Sequence, residues 1–218
     1  MKKRRVSDLA QNPVLFDPKE HWEKIYRERT PDQMSWFQSD PSKSLSLVAI
    51  AKTPLNGSII DVGGGASVLV DRLLLAGFKD ITVLDISNSA LEYARGRLKT
   101  KAARVKWVFA DVIGFNPSVT FDLWHDRAAF HFLTKETDRK KYIAILSRAL
   151  KPGGHVILAS FALDGPNTCS NLPVCRYDAG LITKELGIDF KLIKEDFETH
   201  ITPWKKEQKF RYFLFERK

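Results

Sequence analysis

The chain has 218 residues, 44% of them hydrophobic, and 35 Lys and Arg against 26 Asp and Glu give a formal net charge of +9. That length and apolar content suit one domain around one core. No apolar run approaches the ~18 residues of a membrane span, and Met1-Lys-Lys-Arg-Arg5 leads into polar sequence rather than the apolar segment of a secretory signal, so a cytoplasmic protein is expected. The basic residues are spread over both ends, residues 139–148 and the last strand without a nucleic-acid-binding motif, which argues against a nucleic-acid partner and for a solvated surface. Cys169 and Cys175 lie six apart in a Gly/Pro-rich loop with no Cys/His partner pattern, so free thiols and no metal site are expected.

Taken in order, residues 14–37 carry Phe16, Trp22, Tyr26, Trp36 and Phe37. The run His21–Tyr26 puts Trp22, Ile25 and Tyr26 on one helical face. Pro31 and Pro41 punctuate the chain before a helix near 43–52. Residues 1–55 therefore read as a helical cap region ahead of a core spanning 56–218.

The core opens on Ile59-Ile-Asp-Val-Gly-Gly-Gly-Ala-Ser67, a buried strand running into a glycine turn. Gly63, Gly64 and Gly65 let a ligand approach the backbone, and the apolar spacing from Val68 to Leu75 predicts a helix behind them. A dinucleotide fingerprint would want glycine where Val68 stands. Asp61 is a poor neighbour for a pyrophosphate and a good one for a ligand carrying an ammonium and a sulfonium, as S-adenosylmethionine does. Ile81–Asp85 is a second strand ending in an acid 24 residues on from Asp61, near the spacing at which a carboxylate accepts ribose hydroxyls. Val105–Phe109 leads to Asp111, a third strand-end acid, suited to the adenine amino group.

Thr120–Trp124 reads as the fourth strand, with His125-Asp126-Arg127 emerging from its carboxyl end, where ligands of open α/β sheets bind. His125, Asp126 and His131 are the candidate bases or acceptor-orienting groups, a histidine because it titrates near neutrality and an aspartate because it can hold an ammonium. The competing reading pairs Asp126 with Arg127 and packs His131 beside Phe130 and Phe132. A helix follows over 135–150, then a turn at Pro152-Gly153-Gly154 and a strand over 155–161. A loop at 164–173 can wall an acceptor pocket, ahead of a helix over 178–186 and an antiparallel pair at 190–199 and 209–216. The fold expected is one α/β domain: a Rossmann-like, doubly wound sheet, mostly parallel, with helices on both faces.

The segments Asp61-Val-Gly-Gly-Gly65, Leu84-Asp85-Ile86-Ser87, Ala110-Asp111-Val112 and Leu150-Lys-Pro-Gly-Gly154 resemble the class I S-adenosylmethionine-dependent methyltransferases over residues 56–161. One departure is Ser67 in place of the third loop glycine. The resemblance implies methyl transfer from S-adenosylmethionine, with Asp61, Gly63, Gly64, Gly65, Asp85, Ile86, Asp111 and Val112 at the cofactor. It also implies a pre-strand segment folded over cofactor and substrate, for which Trp36-Phe37-Gln38 is the choice. Trp124-His-Asp-Arg127 is partly similar to the Trp-Asp-Arg-Gly region of the thiopurine methyltransferase group, with His125 inserted and Ala128 for glycine. A small-molecule acceptor is the expectation. The same position also looks like the Asp-Lys-Gly segment of protein lysine methyltransferases, so a protein acceptor is the alternative, and a non-catalytic cofactor-binding protein the third.

Overall fold

A computed structural model describes residues 16–218, so residues 1–15 of the expected cap, with the basic start, lie outside the described residues. The chain order is α1 (Pro18–Glu28), α2 (Ser42–Ala51), β1 (Ser58–Val62), α3 (Leu69–Leu75), β2 (Asp80–Asp85), α4 (Asn88–Leu98), β3 (Val105–Phe109) and β4 (Phe121–Arg127). Then come α5 (Glu136–Ala149), β5 (Leu150–Phe161), a two-residue pair β6 (Thr168–Cys169) and β7 (Leu172–Pro173), α6 (Ala179–Leu186), β8 (Phe190–Ile201) and β9 (Glu207–Arg217). The main sheet runs β3-β2-β1-β4-β5-β9-β8. Its first five strands are parallel, and β9 and β8 add on antiparallel.

Why the strands bury is visible in β1, whose five residues are all buried because helices cover both faces of the sheet. Alternate side chains feed two cores: Ile59 joins Leu47, Leu73, Ile81 and Leu91 on one face, and Ile60 joins Trp124, Tyr142, Leu146 and Phe213 on the other. The chain reverses strand order at β1 and β4, which opens a crevice above their carboxyl ends.

Two boundaries differ from the sequence reading. Pro152-Gly153-Gly154 lies within β5, opposite an irregularity in β4 between Phe121 and Leu123, instead of forming a separate turn. More consequentially, β4 runs on through Arg127, so His125 and Asp126 are strand residues with ladder partners in β1 and β5 rather than the start of a loop. The cause is burial from both sides. His125 pairs with Asp61 and Ile157, and Asp126 with Val62 and Leu158, in the most covered part of the sheet.

Asp126 is fully buried and turned toward α5. Its carboxylate accepts from the backbone N–H groups of Ala129 (2.9 Å) and Phe130 (3.1 Å) and from the Tyr142 hydroxyl (2.7 Å), which itself accepts from Trp124 Nε1 (2.8 Å). Burial pushes its pKa up to about 6 against these stabilising bonds. The bend it holds contains Ala128 at φ 69, a left-handed conformation that glycine adopts without a Cβ penalty.

Replacing Asp126 with Ala strands two backbone donors and a hydroxyl, and the expected loss is about 3 kcal/mol in chemical denaturation. Asp126→Asn, which keeps one acceptor oxygen, is expected to lose about half of that. Ala128→Gly is expected to raise stability by about 1 kcal/mol in the same measurement, because it relieves the left-handed strain.

Candidate functional site

The turn after β1 is shaped by how near its backbone comes to two acids. Gly63 and Gly65 have φ of +65 and +38. A Cβ on Gly64 would stand 2.6 Å from Asp61 Oδ2, and one on Gly65 would stand 2.6 Å from Asp85 Oδ2. Any side chain here would push the loop off the strand ends. Ser67, the departure from the glycine pattern, is not at positive φ, and its Oγ accepts from Leu69 N–H (3.1 Å) to start α3. Arg97 on α4 fastens the far side of the loop, donating to the carbonyls of Ala66 (2.7 Å) and Ser67 (2.6 Å) while pairing with Asp71. Sequence reading missed Arg97, since nothing local marks an arginine thirty residues on from the loop it pins.

Beneath the loop, Asp61 and His125 meet across β1 and β4. Asp61 Oδ1 lies 2.7 Å from His125 Nδ1, and His125 Nε2 lies 2.9 Å from Ser44 Oγ on α2. The second carboxylate oxygen, Asp61 Oδ2, is buried with no partner among the described residues. A buried, half-satisfied carboxylate is costly unless a cation completes it.

Two adjacent cavities with lining residues in common lie above these groups. The smaller, about 60 Å³, is bordered by Asp61, Gly63, Gly64, Ser44 and His125. The larger, about 390 Å³, is bordered by Asp85, Ile86, Asp111, Val112, Trp22 and Phe132, among others. Tyr26, Trp36, Gly63 and Arg127 border both, so they mark the junction. Gly65 borders neither and serves only to let the loop sit against Asp85. Asp85 is buried, and desolvation pushes its pKa up to about 7 despite a bond from Ser87 N–H (2.8 Å).

The aromatic N-terminal segment closes over this crevice. Trp22 packs edge-on against Trp36 (centroids 5.6 Å) and Phe132 (4.9 Å), and Trp36 Nε1 donates to the Tyr26 hydroxyl (3.3 Å). Glu23 anchors α1 to the start of α4, accepting from Ser87 Oγ and Ser89 Oγ, each at 2.7 Å, and these bonds hold its pKa down at about 2 even though partial burial works the other way. On the opposite side, Gln38 donates to Glu198 (2.7 Å), Lys43 pairs with Asp196 (3.0 Å) and His200 meets the Ser35 carbonyl (2.7 Å), which ties the cap to β8.

The three expected bases do not offer a free atom to the junction. Both ring nitrogens of His125 are engaged, and Asp126 is bonded into its own bend. His131 is fully buried with neither nitrogen partnered, and burial, then the Arg127 charge, pulls its pKa down to about 3, leaving it neutral. Arg127 is the residue that reaches the junction: Nε donates to Tyr212 (2.8 Å) and Nη1 to the Trp36 carbonyl (3.0 Å), and it stacks on Phe210. Neither cysteine is disulfide-bonded, and Cys169, on the wall of the larger cavity, has its thiol pushed up to about 11 by burial. Among the described residues no group of three or more acids, histidines and cysteines is placed to hold a metal ion, and no helix is long and apolar enough to cross a membrane.

The donor set fits S-adenosylmethionine. A lone buried carboxylate oxygen beside bare backbone suits an ammonium, and acids at the next two strand ends suit a ribose and an adenine. Comparison with known proteins agrees. Residues 59–154 match the family described as Methyltransferase domain. The chain is 26% identical over 198 residues to EEF1A lysine methyltransferase 2 of Homo sapiens, covering 84% of this chain and 78% of the relative. The N-methyltransferase NodS from Bradyrhizobium japonicum WM9, solved with S-adenosyl-l-homocysteine, shares its fold at TM-score 0.66 and 16% identity, over 89% of this chain and 97% of that one. A protein described as converting a disulfide bond into a thioacetal group during echinomycin biosynthesis shares the fold at TM-score 0.71 and 20% identity, over 91% and 92% of the two chains. The chain is an S-adenosylmethionine-dependent methyltransferase, similar in sequence motifs and fold to the class I enzymes.

Proposed function

We propose that the chain methylates a nucleophile on a small molecule, held between the cofactor and the aromatic cap. When bound, S-adenosylmethionine supplies a methyl group already activated by its sulfonium, so the protein's task is chiefly alignment. Asp61 would take the ammonium, with Gly63 and Gly64 giving the backbone approach. Asp85 would accept from the ribose hydroxyls, and Asp111 from the adenine amino group between Ile86 and Val112. Trp36, at the junction, would flank the reacting centre. In this reading His125 is a positioning residue that holds Asp61 in place, Asp126 sets the bend after β4, and His131 is core. The described part of the cap, residues 16–55, and the core, 56–218, act as roof and floor of one site.

The observation that carries the acceptor reading is the cap's double anchorage, at Ser87 and Ser89 on one side and at β8 on the other. A roof fastened on two sides favours an acceptor small enough to be enclosed. The human relative named for lysine methylation supports a second reading, in which a lysine side chain enters. A lysine side chain would need an open groove beside Asp126, whereas Asp126 is bonded under the bend and borders neither cavity.

Asp85→Ala is expected to weaken cofactor binding by about 1.5 to 3 kcal/mol in calorimetry, through loss of charge-assisted bonds. Because burial raises the Asp85 pKa to about 7, the accepting carboxylate form grows as pH rises through that value, so affinity should climb between pH 6 and 8. In Asp85→Asn that climb should flatten. Incubating the protein with radiolabelled cofactor and a fractionated cell extract should label the small-molecule fraction. Label confined to the protein fraction would shift the assignment to the lysine reading.

A further inference from the structure

We propose that the acceptor group is an amine, bound in its uncharged form and methylated on nitrogen. The proposal rests on the small-molecule reading above and adds to it the atom that is methylated.

Four side chains at or beside the junction present rings: Trp22, Tyr26, Trp36 and Phe132, with neighbouring centroids 4.9 to 6.3 Å apart. Such a wall favours a cation over its face. In methyl transfer to an amine, the nitrogen lone pair forms the new C–N bond while the C–S bond breaks and its electron pair stays on sulfur. A neutral thioether and an alkylammonium result. The positive charge moves from sulfur to nitrogen across the same chamber and is never lost, so the rings stabilise it throughout. The ammonium gives up its proton to solvent after release, and no protein base is required.

A hydroxyl acceptor needs something different. Its proton must be taken during transfer, and the chamber must hold a group able to take it. His125 has both nitrogens engaged, His131 and Asp126 border neither cavity, and the cations Arg127 and Lys135 and the protonated Cys169 cannot serve. The acids Asp85 and Asp111 are taken up by the cofactor in the reading above, and Asp138, on the outer wall of the larger cavity, pairs with Lys141 (3.5 Å).

Charge selects the protonation state. Arg127 Nη2 has no hydrogen-bond partner among the described residues and lies 3.7 Å from Glu198, so the cation is only partly compensated. A protonated amine would add a third positive charge beside the sulfonium and Arg127. A neutral amine keeps the total at its starting value before and after transfer.

The test has a binding arm and a product arm. With the protein bound to S-adenosylhomocysteine, tetramethylammonium should quench tryptophan fluorescence and bind about tenfold more tightly than neopentyl alcohol, an uncharged, water-soluble compound of similar bulk. That preference should fall about tenfold in Trp36→Ala and in Phe132→Leu, which keeps bulk without a ring, and should persist in Trp36→Phe. Equal binding of the two probes overturns the proposal. In the product arm, labelled small molecules should be retained on a cation exchanger and keep their label through alkali. Label released by alkali as methanol, or carried by neutral ethers, overturns it. Label recovered only as methyl-lysine would sink the small-molecule reading and leave nitrogen as the target, whereas protein label at any other atom would sink both.

Discussion

One carboxylate, Asp61, is the point through which the central strands, α2 and the glycine turn are coupled. It ends β1, and His125 of the neighbouring strand holds one of its oxygens at 2.7 Å while Ser44 of α2 holds the other side of that imidazole at 2.9 Å. The remaining oxygen is buried beneath Gly64, where a Cβ would not fit. Burying such a group uncompensated is expensive, so the arrangement is stable in proportion to how well a cation completes it. The glycine turn, the β1–β4 register and the seat of α2 are all conditions for keeping that oxygen in place.

Much of this was legible in the amino acids. The glycine run beside an acid, with two further acids closing the next two strands, led to the cofactor because charge and spacing act locally there. The antiparallel pair at the C-terminal side was legible too, from β-rich runs on either side of Pro203 and Trp204. The end of β4 was misread for a physical reason: His-Asp-Arg is polar, and polarity usually marks the edge of a buried strand. Here the polar groups find partners distant in sequence, His125 in Asp61 and Ser44, Asp126 in Tyr142, Arg127 Nε and Nη1 in Tyr212 and the Trp36 carbonyl. Partners of that kind leave no trace in spacing. Arg97 and Glu23 escaped notice on the same ground, since both act on loops far from them along the chain.

The aromatic segment packs and, in packing, lines a cavity: Trp22 is part of a ring cluster with Phe132 and Trp36, and the same residues border the larger cavity. Hydrophobic burial fixes the cap, and its inner face supplies the cavity wall. Of the polar residues that end β4, Asp126 is bonded under the bend, while His125 and Arg127 border the crevice together with the rings.

The ties from Gln38, Lys43 and Ser35 to β8, together with Arg127 to Tyr212 on β9, have an outcome for biogenesis. Domains emerge from the ribosome in order, at about 5–20 residues per second. The roof is among the first parts made, yet its fastenings on the β8 side belong to strands translated more than a hundred residues later. A nascent chain can therefore assemble β1 to β5 with the roof held at Ser87 and Ser89 alone, and the second side is fastened only when the final hairpin docks.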